Sequence, residues 1–189
     1  MSRHPRARLF VAAELPSAAR EELADWARAA LAGPARHAVR LLDPELLHVT
    51  LCFLGSRPVA EIDALGPVVS RLHSPACEAT LGAPLWLPAR RPKVLAIELT
   101  GAEGLAELQR RVTDELAMAI DWQPERRRFR AHVTVARVRG GGAVDARARL
   151  PATPALSVAI EAVSLQRSWL SPAGARYETL ARCELGAGI

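Results

Sequence analysis

One tripeptide occurs twice in this chain at a fixed register, and that register constrains the fold more than any other feature. His48-Val49-Thr50-Leu51 returns as His132-Val133-Thr134-Val135, 84 residues later. The apolar segment Phe10-Val11-Ala12-Ala13-Glu14-Leu15 returns as Val94-Leu95-Ala96-Ile97-Glu98-Leu99, and Glu14 to Glu98 is again 84. Each half therefore reads strand, helix, then His-Val-Thr strand. Duplication of one supersecondary unit predicts two pseudo-symmetric lobes within a single domain spanning residues 1–189. The repeat units cover about residues 8–55 and 92–139. A pseudo-two-fold axis between them would set the two motif strands across a shared cleft.

Hydrophobic periodicity and turn residues place the remaining elements. Arg8–Leu15 reads as a strand bounded by Pro16. Pro16-Ser17 opens a helix with Leu23, Trp26, Ala27, Ala30 and Leu31 on one face, ended by Gly33-Pro34. Ala38–Leu42 is a short strand, and Asp43-Pro44 a turn. Leu46–Leu54 is the first motif strand, closed by Gly55. Pro58 starts a second helix, with Ile62, Leu65, Val69 and Leu72 inward. Cys77–Leu87 and Lys93–Leu99 read as strands around the Pro88–Pro92 turn. A third helix buries Leu105, Leu108, Val112 and Leu116. Ala131–Val138 is the second motif strand, ended by Gly140-Gly141-Gly142. Leu156–Gln166 and Tyr177–Leu185 form a closing hairpin around Ser171-Pro172-Ala173-Gly174.

On a strand, residues i and i+2 share a face, so each copy offers an imidazole beside a hydroxyl. Histidine titrates near neutral pH, so one ring can accept a proton while the other donates one. Threonine hydroxyls can hold the non-bridging oxygens of a phosphate. In-line attack on a phosphodiester is the reaction this set suits. A zinc site would need three or four clustered ligands. His4, His37 and His73 are scattered, and no acidic residue stands within the motifs, so no metal is expected.

Composition narrows the setting. No segment approaches the ~20 apolar residues of a membrane helix. The run Leu9–Leu15 meets Glu14 and then Pro16, which is short for a signal peptide. Three cysteines with no C-x-x-C pattern indicate neither a disulfide framework nor a zinc ribbon, and the expected compartment is a reducing cytoplasm. The net charge is +5, and Lys93 is the single lysine. The arginine excess has two readings: a GC-rich genome, or an anionic partner that arginine grips through paired hydrogen bonds and stacking. Arg126-Arg127-Arg128 and Arg130 precede the second motif. That run is either a solvated loop or an electrostatic guide for RNA phosphates.

Several segments together resemble the two-histidine (2H) phosphoesterases, and more closely the RNA 2′,3′-cyclic phosphodiesterase and 2′-5′ RNA ligase family. They are Arg8-Leu9-Phe10-Val11-Ala12, the stretch Leu47 to Gly55, Arg91-Pro92-Lys93-Val94-Leu95, the stretch Phe129 to Arg137, and the ends Ser164 to Ser168 and Gly174 to Leu180. The resemblance implies an α+β, bilobal duplicated fold with two antiparallel sheets lining a central cleft and helices outside. It implies hydrolysis of RNA 2′,3′-cyclic phosphates to 2′-phosphates without metal or other cofactor, and reversible 2′-5′ joining. His48 and His132 carry over as the catalytic pair, and Thr50 and Thr134 as phosphate clamps. Because the 3′-oxygen leaves, His48 is assigned as acid and His132 as base, with the reverse order open. Phe53 and Arg137, each five residues after a histidine, would hold the nucleobase, with Arg130 as a further nucleotide contact. Strict alternation puts Phe53 and Arg137 on the face opposite the histidines, so the strands must twist, bulge or end for that role. Cys52 stands where the family often has a basic residue, and Ala131 where proline is common.

The substrates expected are RNA ends or small cyclic nucleotides, acted on by a monomer. A related enzyme reading keeps the fold and changes the substrate to another cyclic nucleotide or a 2′-5′ oligonucleotide. A non-catalytic RNA-binding module is the third reading. Both intact His-Val-Thr copies argue against it, as does an aromatic content of 4%, too low for a stacking surface. Trp26, Trp86, Trp122 and Trp169 read as packing or rim residues, and Tyr177 has no assigned place.

Overall fold

The computed structural model describes residues 5–33, 35–171 and 174–186. His4, and Pro34, Pro172 and Ala173 among the expected turn residues, lie outside them. The chain runs β1 (Arg6–Glu14), α1 (Ser17–Ala30), α2 (Ala35–Ala38), β2 (Val39–Leu41), β3 (His48–Pro58), α3 (Ile62–Ser70), β4 (Cys77–Leu87) and β5 (Val94–Thr100). It continues through α4 (Glu103–Ala119), β6 (His132–Val138), β7 (Ser157–Ile160), β8 (Ala162–Ser171) and β9 (Gly174–Glu184).

The architecture is α+β. Two antiparallel halves, β7-β4-β5-β6 and β3-β1-β8-β9, meet where Val49 on β3 pairs with Val133 on β6. The two expected sheets are therefore continuous through one residue pair, and β2 extends the same edge of β6. The duplication is visible in the register itself. Glu14 pairs with His48 and Ala12 with Thr50, while Glu98 pairs with His132 and Ala96 with Thr134.

The helices are amphipathic in the expected sense. Leu23, Trp26 and Ala27 of α1, Leu65 and Val69 of α3, and Leu105, Leu108, Val112 and Leu116 of α4 are buried. Their partners are less obvious. α1, from the first half, packs behind β6 of the second, and α4, from the second half, packs behind β3 of the first. The Trp26 indole donates to the Ala152 carbonyl at 2.9 Å, and the Cys52 thiol lies 3.1 Å from the Thr113 hydroxyl. α4 approaches β4 closely because Gly104 has no side chain; a Cβ there would stand 2.6 Å from that of Cys77.

Two local expectations are corrected. β3 does not close at Gly55 but continues to Pro58. Gly55 has φ +74°, and the register slips there, pairing Leu9 with Gly55 but Phe10 with Phe53. Glycine tolerates this geometry, so the strand absorbs an irregularity instead of ending. The segment Leu156–Gln166 is two strands, because the chain changes partners at Glu161, from β4 to β1. The turn α2 before β2 carries no apolar periodicity and was not legible.

Gly55→Ala should lower the unfolding free energy by about 1–2 kcal/mol, the cost of a side chain at positive φ. A urea melt with an unchanged m-value would read it.

Candidate active site

Two cross-strand features build the site. Val49 and Val133 point into the core, so the residues flanking them, His48 and Thr50 on β3 and His132 and Thr134 on β6, face the cleft. Antiparallel register then sets Thr134 alongside His48, and His132 alongside Thr50. The imidazoles are anchored alike. His48 Nδ1 lies 2.8 Å from the Leu46 carbonyl, and His132 Nδ1 lies 2.7 Å from the Arg130 carbonyl, each two residues back. A carbonyl only accepts, so each Nδ1 carries the proton and each Nε2 is the atom left for chemistry. His48 Nε2 lies 3.2 Å from the Thr50 hydroxyl.

The second feature is a pair of β-bulges. Between Val11 and Ala12, β1 advances one residue while β3 advances two, so Leu51 is the extra residue; between Leu95 and Ala96, β6 does the same at Val135. Leu51 and Cys52 are both buried, as are Val135 and Ala136. The phase of each strand is thereby inverted, and Phe53 and Arg137 emerge on the histidine face. This is the bulge that strict alternation required. It also turns Cys52 toward Thr113 of α4. Burial pushes the Cys52 thiol up to about 11, so it stays protonated.

The halves then diverge. Phe10 stacks on His48 at 4.9 Å and 27°, and Tyr177 meets the same ring edge-on at 5.5 Å. The residue equivalent to Phe10 beside His132 is Val94. Burial pulls the His48 value from 6.5 down to about 4. The Leu46 carbonyl opposes this, while the charges of Arg137 and His132 add to it. His48 is therefore neutral at pH 7 in the unliganded protein.

The expected nucleotide contacts take distinct places. The guanidinium over the Phe53 ring is that of Arg8, 4.4 Å from its centroid. Arg137 pairs across strands with Arg40 and Val94, and its Nε is buried without a hydrogen-bond partner. Arg130 is exposed and ion-paired to Glu98 at 2.8 Å. Glu14, the repeat partner of Glu98, is paired with Arg182 at 2.8 Å. Two cavities open on the motifs. One of about 500 Å³ lies against His48 and includes Gln166, Tyr177 and Thr179. Another of about 410 Å³ lies against Thr50 and His132. Sequence reasoning missed Arg8, Phe10 and Gln166 and left Tyr177 unplaced, because nothing in one sequence says that β8 and β9 fold beside β1. Among the described residues, no three His, Cys, Asp or Glu side chains gather as a metal cage, and no helix is long and apolar enough to cross a membrane.

A sequence profile of the 2′-5′ RNA ligase superfamily matches residues 15–168. The chain belongs to this superfamily. Two curated relatives named RNA 2′,3′-cyclic phosphodiesterase agree with that placement. The one from Methanothermobacter thermautotrophicus is 31% identical over 146 residues, covering 74% of this chain and 78% of the relative. The one from Aeropyrum pernix is 26% identical over 149 residues, covering 75% and 84%. The crystal structure of Escherichia coli LigT complexed with 3′-AMP superposes with a TM-score of 0.78 at 26% identity, covering 96% of this chain and 99% of that one. This superfamily member is thus a 2H phosphoesterase.

The lowered His48 value has a stability consequence. Between pH 6.5 and 4 the unfolded chain binds a proton at His48 that the folded chain refuses, so stability falls as pH drops through that window. The loss should approach about 3 kcal/mol. Denaturant melts across pH should show this slope, and His48→Gln should flatten it.

Proposed function

We propose that this protein hydrolyses RNA 2′,3′-cyclic phosphate ends to 2′-phosphate ends, and joins RNA ends through 2′-5′ linkages when a 5′-hydroxyl replaces water. The observation that carries the reading is one cleft face holding two Nδ1-anchored imidazoles and two threonine hydroxyls. The two relatives named RNA 2′,3′-cyclic phosphodiesterase support the same reading.

The chemistry follows from the anchoring. The cyclic phosphate sits between the motifs, with its non-bridging oxygens on Thr50 and Thr134. One Nε2 removes a proton from water as its oxygen attacks phosphorus. The bond from phosphorus to the 3′-oxygen breaks, and the other Nε2–H protonates that oxygen. Both bridging steps need only the two imidazoles, and no metal or other cofactor enters. His48, neutral at rest, is the ring ready to accept the first proton, and His132 then supplies the second. This order is the reverse of the one drawn from the leaving group alone. We place the enzyme in a reducing cytoplasm, in keeping with its free cysteines Cys52, Cys77 and Cys183, and as a monomer.

Replacing either histidine by alanine should cut turnover of a 2′,3′-cyclic nucleotide by about 10²–10⁴-fold, and EDTA should leave the wild-type rate unchanged. The product should be a 2′-phosphate by NMR; a 3′-phosphate would overturn the assignment. The proton roles are separable with a 4-nitrophenyl phosphodiester, whose leaving group needs no proton. On it His132→Ala should recover most of its lost rate and His48→Ala should not. The opposite recovery would exchange the two roles.

A further inference from the structure

The two cavities on the motifs differ in charge. The cavity against His48 is lined by two arginines and two glutamates. Each arginine there is committed: Arg20 to Glu45 at 3.0 Å, and Arg182 to Glu14 at 2.8 Å. The cavity against Thr50 and His132 is lined by three arginines, Arg127, Arg128 and Arg130, and one carboxylate, Glu125. Arg130 is held by Glu98. Arg127 and Arg128 are exposed and, among the described residues, carry no ion pair. Trp122 and Phe129 line the same cavity and pack their inner edges on the core. Two uncommitted guanidiniums beside aromatic faces form the combination that binds single-stranded RNA through phosphate contacts and stacking.

Resting on the cyclic phosphodiesterase reading, we infer that the RNA strand 5′ to the reacting terminus leaves the site across the 122–130 segment. Arg127 and Arg128 take its first backbone phosphates. A polyanion entering on the His48 side would meet Glu14 and Glu45, and would have to break two ion pairs to reach a free guanidinium. On the His132 side it meets positive charge at no such cost. The arginine run preceding the second motif is thus the track that distinguishes an RNA end from a mononucleotide.

The test compares adenosine 2′,3′-cyclic phosphate with a six-nucleotide RNA ending in the same group, for wild type and R127E/R128E. Both residues are exposed, and circular dichroism and the thermal midpoint would confirm folding. The variant should lose about tenfold or more in kcat/KM on the oligomer at low salt while staying within about twofold on the mononucleotide. Its slope of log kcat/KM against log salt should be shallower by about 1.4, the value for two single-strand phosphate contacts. Equal rates for variant and wild type on the oligomer would overturn the inference, as would equal losses on both substrates. If wild type turns over neither substrate, it is the phosphodiesterase reading that fails.

Discussion

The backbone pairing of Val49 with Val133 is the constraint on which the site depends. It is the single residue pair in β3–β6 register, and both side chains are buried. Because the strands are antiparallel, the pair fixes where each histidine stands relative to the threonine of the other motif. A slip of one residue would turn His48 and Thr50 into the core. Two buried valines and a run of buried apolar residues on either side make such a slip costly. The reactive geometry is thus a by-product of core packing.

The same symmetry anchors the chemistry and then yields to it. Both imidazoles use Nδ1 on a carbonyl two residues back, so both present Nε2. Two equivalent histidines would have no reason to divide the labour of base and acid. In the mechanism we propose, that division follows from unequal surroundings: Phe10, where the second unit has Val94, and Tyr177 crowd His48, and Arg137 sets a positive charge near it. Tyr177 belongs to β9, which lies beyond both repeat units.

What sequence reveals here follows from what is local. The motif strands, the three long helices and their buried faces lie in the spacing of apolar residues, and the doubled register was visible as matching letters. The bulges at Leu51 and Val135 are legible only as one of three ways, beside a twist or a strand end, by which Phe53 and Arg137 could reach the cleft. Their positions needed the partner strands. Gly55 was misread because a glycine that ends a strand and one that lets it slip look the same in sequence. Arg8 over Phe53 and Phe10 on His48 were invisible for a different reason. They are cross-strand neighbours in β1 and β3, more than 30 positions apart in the chain.

The helices that cover the motif strands belong to the opposite halves. A chain carrying one unit alone would expose the back of its motif strand. Two such chains would cover each other's strands by exchanging helices, and would bring two His-Val-Thr strands edge to edge on a true two-fold axis. The present protein therefore has the topology of an intertwined homodimer written into one polypeptide. Held in one polypeptide, the two copies need not be identical, and that freedom lets one histidine sit among aromatic rings while its twin does not.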